Sequence, residues 1–323
     1  MKAGVWFFVL SAILLSATGC EHKELCYEHP HGTRVDVVFD WSKAPDASPA
    51  SMSFYLFPQE GGKPLRYEFQ GCAGGSINVP AGSYDVLCLN SDTEGIRYHN
   101  TGSLTTFELR TDDAAGIPGI GVFGSGSSGQ LPRADGAGDE RVAMEPDMVW
   151  TDRATDVRLD ASASADGRQT ITLTPEASVF LCTVEIRDAA NMSHVSAIGA
   201  SMSTMAGGLL PGIGPTALTD ECVTIPFNVS ATAGRSVVTG GFSAFGHCPS
   251  EQKKHKLVVY AVLADNSKWY YSYDVTEQFH SSPDPNRVHL LIEKLPIPQP
   301  IDGEGGFDPW VDEWQDIDVG IDM

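Results

Sequence analysis

Cys20 is the side chain whose neighbours prepare it most clearly for a defined reaction. Lys2 supplies a positive start, Val5 to Ala17 is almost wholly apolar, and Ala17, Thr18 and Gly19 stand directly before the thiol. The apolar run falls short of the roughly 20 residues a bilayer-crossing helix needs and has the proportions of a secretory signal core. Small side chains let an extended backbone enter a peptidase site. Cleavage after Gly19 would leave Cys20 as the new N-terminus, with its sulfur available to carry a diacylglycerol. The expected chemistry is lipidation at Cys20, with residues 1–20 as a signal and the remainder exported and held at a membrane by lipid.

Other stretches contain reactive residue types without the spacing that chemistry requires. His22, Cys26, His29 and His31 are metal-ligand types, but a zinc site needs four ligands held tetrahedrally. In a polar tether (residues 21–33) they read as solvated side chains, so no metal is expected. Gly119, Gly121 and Gly124 match G-x-G-x-x-G, which binds a dinucleotide only where a strand turns into a helix. Here the motif runs into Ser and Gly residues, and no cofactor is expected. His247 and Cys248 are adjacent, which does not orient a base toward a thiolate. No G-x-S-x-G is present. The residues do not argue for an enzyme.

Two stretches could bind rather than react. Trp269, Tyr271 and Tyr273 share one face of an expected strand, where they either offer a platform to a sugar ring or pack into a core. The tail from residue 302 to 323 carries eight acidic residues and no basic one, together with Trp310 and Trp314. Its end alternates, with Ile317, Val319, Ile321 and Met323 opposed to Asp316, Asp318 and Asp322. That is the pattern of a strand seeking an edge, in another subunit by strand addition or in its own sandwich.

The elements that must position these residues are all strands. Val35, Val37, Phe39 and Trp41 alternate, as do Val223, Ile225, Phe227 and Val229, and Leu257, Val259, Ala261 and Leu263. Short apolar runs recur between Gly, Pro, Asn and Asp turns, and no helix of ordinary length is apparent. The fold class expected is all-β, with two tandem β-sandwiches over 34–150 and 151–296. A Gly/Ser-rich loop occupies 112–145 and an acidic amphipathic tail 297–323. The chain has 323 residues, 42% of them hydrophobic, and a formal charge of −21. That charge opposes binding to nucleic acid, whose phosphates need a cationic face. Beyond Cys20 six cysteines remain, an even number that permits disulfides in an exported chain without identifying the pairs.

The run Leu15–Cys20 (LSATGC) resembles a bacterial lipobox. Cys20–Cys26 (CEHKELC), Phe39-Asp40-Trp41, Tyr55–Pro58 (YLFP) and Leu89–Glu94 (LNSDTE), with the plan of lipobox, two β-rich halves and C-terminal extension, resemble fimbrillin-like lipoproteins of the Bacteroidetes type. The resemblance implies transthyretin-like sandwiches and a structural or adhesive role as pilus subunit, anchor or tip accessory. It also implies an outer-membrane, surface location, with fimbrial subunits as partners through β-strand addition, or a host or glycan ligand. In that family a protease acting after an Arg removes the first strand; Arg34, Arg66 and Arg133 are poorly placed for such a cut. The rival reading is a surface glycan-binding lipoprotein of a nutrient-uptake system.

Overall fold

The computed structural model describes residues 32–123, 130–160, 168–231, 236–249, 253–300 and 314–318. The first sandwich opens with β1 (Thr33–Phe39), β2 (Ser51–Pro58), β3 (Leu65–Gln70), β4 (Gly74–Val79) and β5 (Gly82–Asn90). A hairpin of β6 (Ile96–His99) and β7 (Glu108–Thr111) follows, then a two-residue hairpin, β8 (Gly116–Ile117) and β9 (Gly121–Val122), and β10 (Arg141–Val142). The chain then returns through β11 (Trp150–Leu159), β12 (Arg168–Leu173) and β13 (Glu176–Ala177). One layer has the order β12-β1-β4 and the facing layer β13-β11-β5-β2-β3. β1 is therefore a central strand, parallel to β12 and antiparallel to β4. The boundary expected at 150/151 falls inside this sandwich, because β11 pairs with β5 and β12 with β1. Short-range strand spacing could not reveal pairings between residues 62 apart (Leu89–Thr151) and 134 apart (Arg34–Arg168).

The second sandwich comprises β14 (Phe180–Ile186), β15 (Val195–Ala206), β16 (Gly208–Leu209), β17 (Cys222–Ala231), β18 (Val238–Ala244), β19 (Lys256–Leu263), β20 (Lys268–Asp274), the short helix α1 (Thr276–His280), β21 (Arg287–Ile292) and β22 (Gln315–Asp318). Its strands follow the order β21-β14-β18-β17-β15-β19-β20-β22, while β16 pairs instead with β7. Strand β17 joins the two layers, pairing with β15 over most of its length and with β18 through Val229–Ala231. Phe180, Cys182, Val184, Val223, Ile225, Phe227, Leu257, Val259, Tyr271 and Tyr273 fill the core between them. The alternation read in these strands thus falls on the inner faces, and the expected pair of all-β sandwiches is observed.

Strands β2 and β5 depart from simple alternation, and the reason is burial on both sides. Met52, Phe54, Leu56, Val86 and Cys88 face the first sandwich's core. Tyr55, Phe57, Leu87 and Leu89 face a separate cluster with Ile96, Leu104, Phe107, Leu109, Val149, Val179, Leu209 and Phe245. The last three come from β13–β14, β16 and the end of β18, so this cluster joins the two halves. A strand buried on both faces reads as a continuous apolar run.

The described parts of the 112–145 loop, residues 112–123 and 130–145, form a cover rather than a linker. Ile117, Phe123, Leu131, Ala134, Ala137 and Val142 pack against Val258 and Tyr260 on the outer face of β19. Gly199 of β15 permits the approach: a Cβ there would lie 2.6 Å from side-chain carbons of both Ile117 and Ile120. Glu140, buried within this cover, accepts from Thr204 N–H at 3.1 Å, Thr204 Oγ1 at 3.2 Å and Thr224 Oγ1 at 2.8 Å. Thr204 sits at φ 63°, a left-handed value costly for a β-branched residue, inside a register shift of β15 against β17. The carboxylate satisfies the backbone that this bulge leaves unpaired. Cys222 and Cys248 form a disulfide, whereas Cys72, Cys88 and Cys182 are free.

Phe107 is fully buried at the junction and meets Tyr55, Phe57 and Tyr98 edge-on. Phe107→Ala is expected to cost about 3–5 kcal/mol in denaturant unfolding, the range for deleting a buried aromatic ring. A cost under about 1 kcal/mol would mean that this cluster does not couple the halves.

Candidate assembly edge

Strand β20 has two faces with different duties. Tyr271 and Tyr273, 0% and 1% exposed, point into the second core, and Trp269 packs half-buried on the same side. Tyr271 Oη donates to the carbonyl of Pro296 at 3.3 Å and Tyr273 Oη to that of Lys294 at 2.8 Å. Burial pushes both phenols well above their ordinary titration range. Of the two uses open to Trp269, Tyr271 and Tyr273, the sugar platform is therefore corrected in favour of the core. Aromatics on the inner face of an amphipathic strand are drawn into the core, and their hydroxyls peg down the segment that leads to the tail.

The opposite edge of β20 receives the tail. β22 adds in parallel, with Trp269 opposite Gln315, Tyr270 opposite Asp316, Tyr271 opposite Ile317 and Ser272 opposite Asp318. Ile317 packs onto the second core while Asp316 is exposed, as the alternation requires. Just before β22, Trp314 crosses to the outer face and meets Tyr260 edge-on, centroids 5.6 Å apart. Tyr260 in turn donates to the carbonyl of Pro132 in the cover loop at 2.7 Å. Burial, reinforced by the Asp316 carboxylate, pushes the Tyr270 phenol up to about 12 and keeps it neutral beside that charge. Of the tail residues singled out in the sequence, Ile317 and Trp314 are seated on this sandwich. Trp310, Val319, Ile321 and Met323 lie outside the described residues, as do Cys20, His22, Cys26, His29 and His31.

The remaining sequence candidates are placed as follows. Gly119 and Gly121 turn β8 into β9, strand to strand, with Gly119 at φ 78°. This is not the strand-to-helix geometry a pyrophosphate needs. Cys248 is consumed by the disulfide and is no thiolate for His247 to activate. What sequence reading missed is the parallel direction of the tail and the anchoring of its base by Tyr271 and Tyr273. Alternation signals a strand but carries neither its partner nor its direction.

The chain belongs to the family described as Domain of unknown function (DUF5119), whose model matches residues 19–228. It is 26% identical over 156 residues to a protein assigned as fimbrium anchoring subunit Fim4B of Bacteroides ovatus, over 48% of this chain. The chain spans 41% of that relative's length. In fold it is similar to a protein from Bacteroides ovatus assigned as an adhesin, with a TM-score of 0.58, 20% identity, and coverage of 87% of this chain and 99% of the other. The fimbrial anchor protein Mfa2 from Porphyromonas gingivalis aligns with a TM-score of 0.47 and 13% identity, over 80% of this chain and 90% of that one. The fimbrillin-like resemblance read from the sequence is borne out.

Ile317 is the side chain of β22 that packs onto the second core, so Ile317→Asp should release the strand. Amides in β20, and Tyr271 and Trp269 in particular, are then expected to exchange with deuterium faster, with little loss in global stability. Unchanged exchange would show that Ile317 does not hold the tail.

Proposed function

We propose that the chain is a lipid-anchored, cell-surface fimbrial subunit of the anchoring kind, working by assembly rather than by catalysis. The observation that carries this reading is β22 on β20: an edge strand added in parallel, gripped by Ile317 and Trp314, on an edge a neighbouring strand could take. In the assembled state the tail pairs with a partner subunit by strand addition, and Ile317, Val319, Ile321 and Met323 fill alternate pockets. Trp310 and Trp314 extend the contact. Exchange between an edge of the same chain and an edge of a partner costs little, since similar hydrogen bonds are broken and made.

The position of β1 favours an anchor over a polymerising subunit. It is hydrogen-bonded on both sides, and Arg34 lies at its beginning, opposite Arg168 and Asn78. A cut after Arg34 would leave Val35 to Phe39 in place, so no groove opens in the first sandwich. Growth would then run through the tail alone, which suits a subunit fixed at the membrane. The disulfide supports an oxidising, exported location, and lipid on Cys20 supplies the tether. The relative's role in anchoring a fimbrium is carried over here on the same terms.

Two measurements test the reading. The mature chain without lipid is compared with a version ending at Pro300 by size-exclusion chromatography with light scattering, and a peptide covering residues 307–323 is then added. Expected are assembly of the full chain or its binding to a fimbrial subunit, stable monomers on truncation, and recapture of the peptide by the monomers. A full chain that stays monomeric with every fimbrial subunit offered, and unfolds when truncated, makes β22 an intramolecular strand only. In cells, Cys20→Ser is expected to abolish incorporation of labelled fatty acid and release the protein from the membrane fraction; retention of either rules out the tether.

A further inference from the structure

Three histidines from three separated segments meet at one end of the second sandwich. His247 follows β18, His255 immediately precedes β19, and His280 ends α1. Their ring centroids stand 5.4 Å (His247–His255), 5.2 Å (His247–His280) and 5.3 Å (His255–His280) apart. One ligating atom of each lies within 4.8 Å of the others. His255 is 1% exposed, held by its backbone N–H donating to Thr276 Oγ1 at 2.9 Å and by Phe279 packed on its ring, centroids 5.2 Å apart. Its Nδ1 is buried with no hydrogen-bond partner among the described residues. A buried polar nitrogen in that condition carries a desolvation cost that something must offset.

From this geometry we infer that His247, His255 and His280 bind one zinc-class divalent ion, with a fourth coordination position open toward the adjoining cavity. Three clustered imidazoles offer three neutral nitrogen lone pairs, the donor set that suits zinc with one open position. Tetrahedral coordination at about 2.0–2.1 Å brings the nitrogens to roughly 3.4 Å from one another. Closing the present spacing takes rotation of the two exposed rings, His247 and His280, about the fixed, buried His255. The cavity, about 780 Å³, is lined by His247 and His280 together with Phe180, Pro249, Ser282 and Val288. Water fills the fourth position, or a carboxylate presented by a docking partner. Because His247 adjoins the Cys222–Cys248 disulfide, the ion would tie the β18–β19 connection to α1 with a second cross-link. The arrangement owes nothing to the tail and stands apart from the assembly reading.

The test uses the mature chain without lipid or a histidine tag, stripped with chelator and titrated with zinc chloride by calorimetry. His22, His29 and His31 offer weak competing sites, so the readout is the difference from the double variant H247Q/H280Q. Both substitutions are on exposed residues, and circular dichroism verifies the fold. Wild type is expected to bind one equivalent more than the double variant and to gain thermal stability with zinc. Cobalt should give it a tetrahedral visible spectrum that the variant lacks. Each single variant should weaken binding by more than the roughly 10–100-fold typical of losing an outer-sphere partner. Equal stoichiometry and spectra in wild type and double variant would overturn the site, as would a folded H255Q variant that keeps the equivalent.

Discussion

Tyr55, Phe57, Leu87 and Leu89 leave β2 and β5 on the face turned away from the first core, and they are 0–6% exposed. No single sandwich can bury both faces of its own sheet. The second surface must therefore be covered by something else, and the rest of the architecture supplies it: the β6–β7 hairpin with Phe107 and Leu109, Val149 and Val179 beside β11 and β13, and Leu209 and Phe245 from the second half. Burial of such side chains is worth about 1.5–3 kcal/mol each. The two halves are consequently not beads on a linker, since each contributes side chains that the other leaves unmatched.

The same demand explains the cover loop. The sheet containing β15, β19 and β20 also has an apolar outer face, bearing Val258, Tyr260 and Tyr270. A Gly-rich segment can lie close on such a face where the sheet is thin, as Gly199 allows under Ile117 and Ile120. Its descent carries Glu140 into the interior, where a bare carboxylate would be costly. Three hydrogen bonds from Thr204 and Thr224 and the nearby Lys253, 3.8 Å away, meet that cost. The bulge at Thr204 and the buried acid thus stabilise each other, because each provides the groups the other lacks.

This division shows what was legible in the sequence. Strand content was, because Val35, Val37 and Phe39 or Leu257, Val259 and Ala261 alternate on one buried face. The paired sandwiches followed from turn spacing. Long-range pairing was not legible: the parallel β1–β12 ladder joins Arg34 to Arg168, 134 positions apart in the chain, which no local pattern encodes. Nor could period-two alternation decide between a sugar platform and a core for Trp269, Tyr271 and Tyr273, since both uses put the rings on one face. The tail's alternation likewise announced Ile317 as inward-facing without naming its neighbour. The convergence of His247, His255 and His280 was invisible for the reason that hides most sites. Their spacing of 8 and 25 residues matches no ligand motif, and only the return of β19 and α1 to one end of the sandwich brings them together.

An edge strand must be managed, because its unpaired amides and carbonyls invite any passing strand. Here β22 covers the edge of β20. Ile317 and Trp314 give it apolar grip on two faces of the sheet, while Asp316 stays exposed. By pegging the chain at Lys294 and Pro296, Tyr271 and Tyr273 keep the base of the tail on its own sandwich, and under the assembly proposed above only the strand beyond it would change partners.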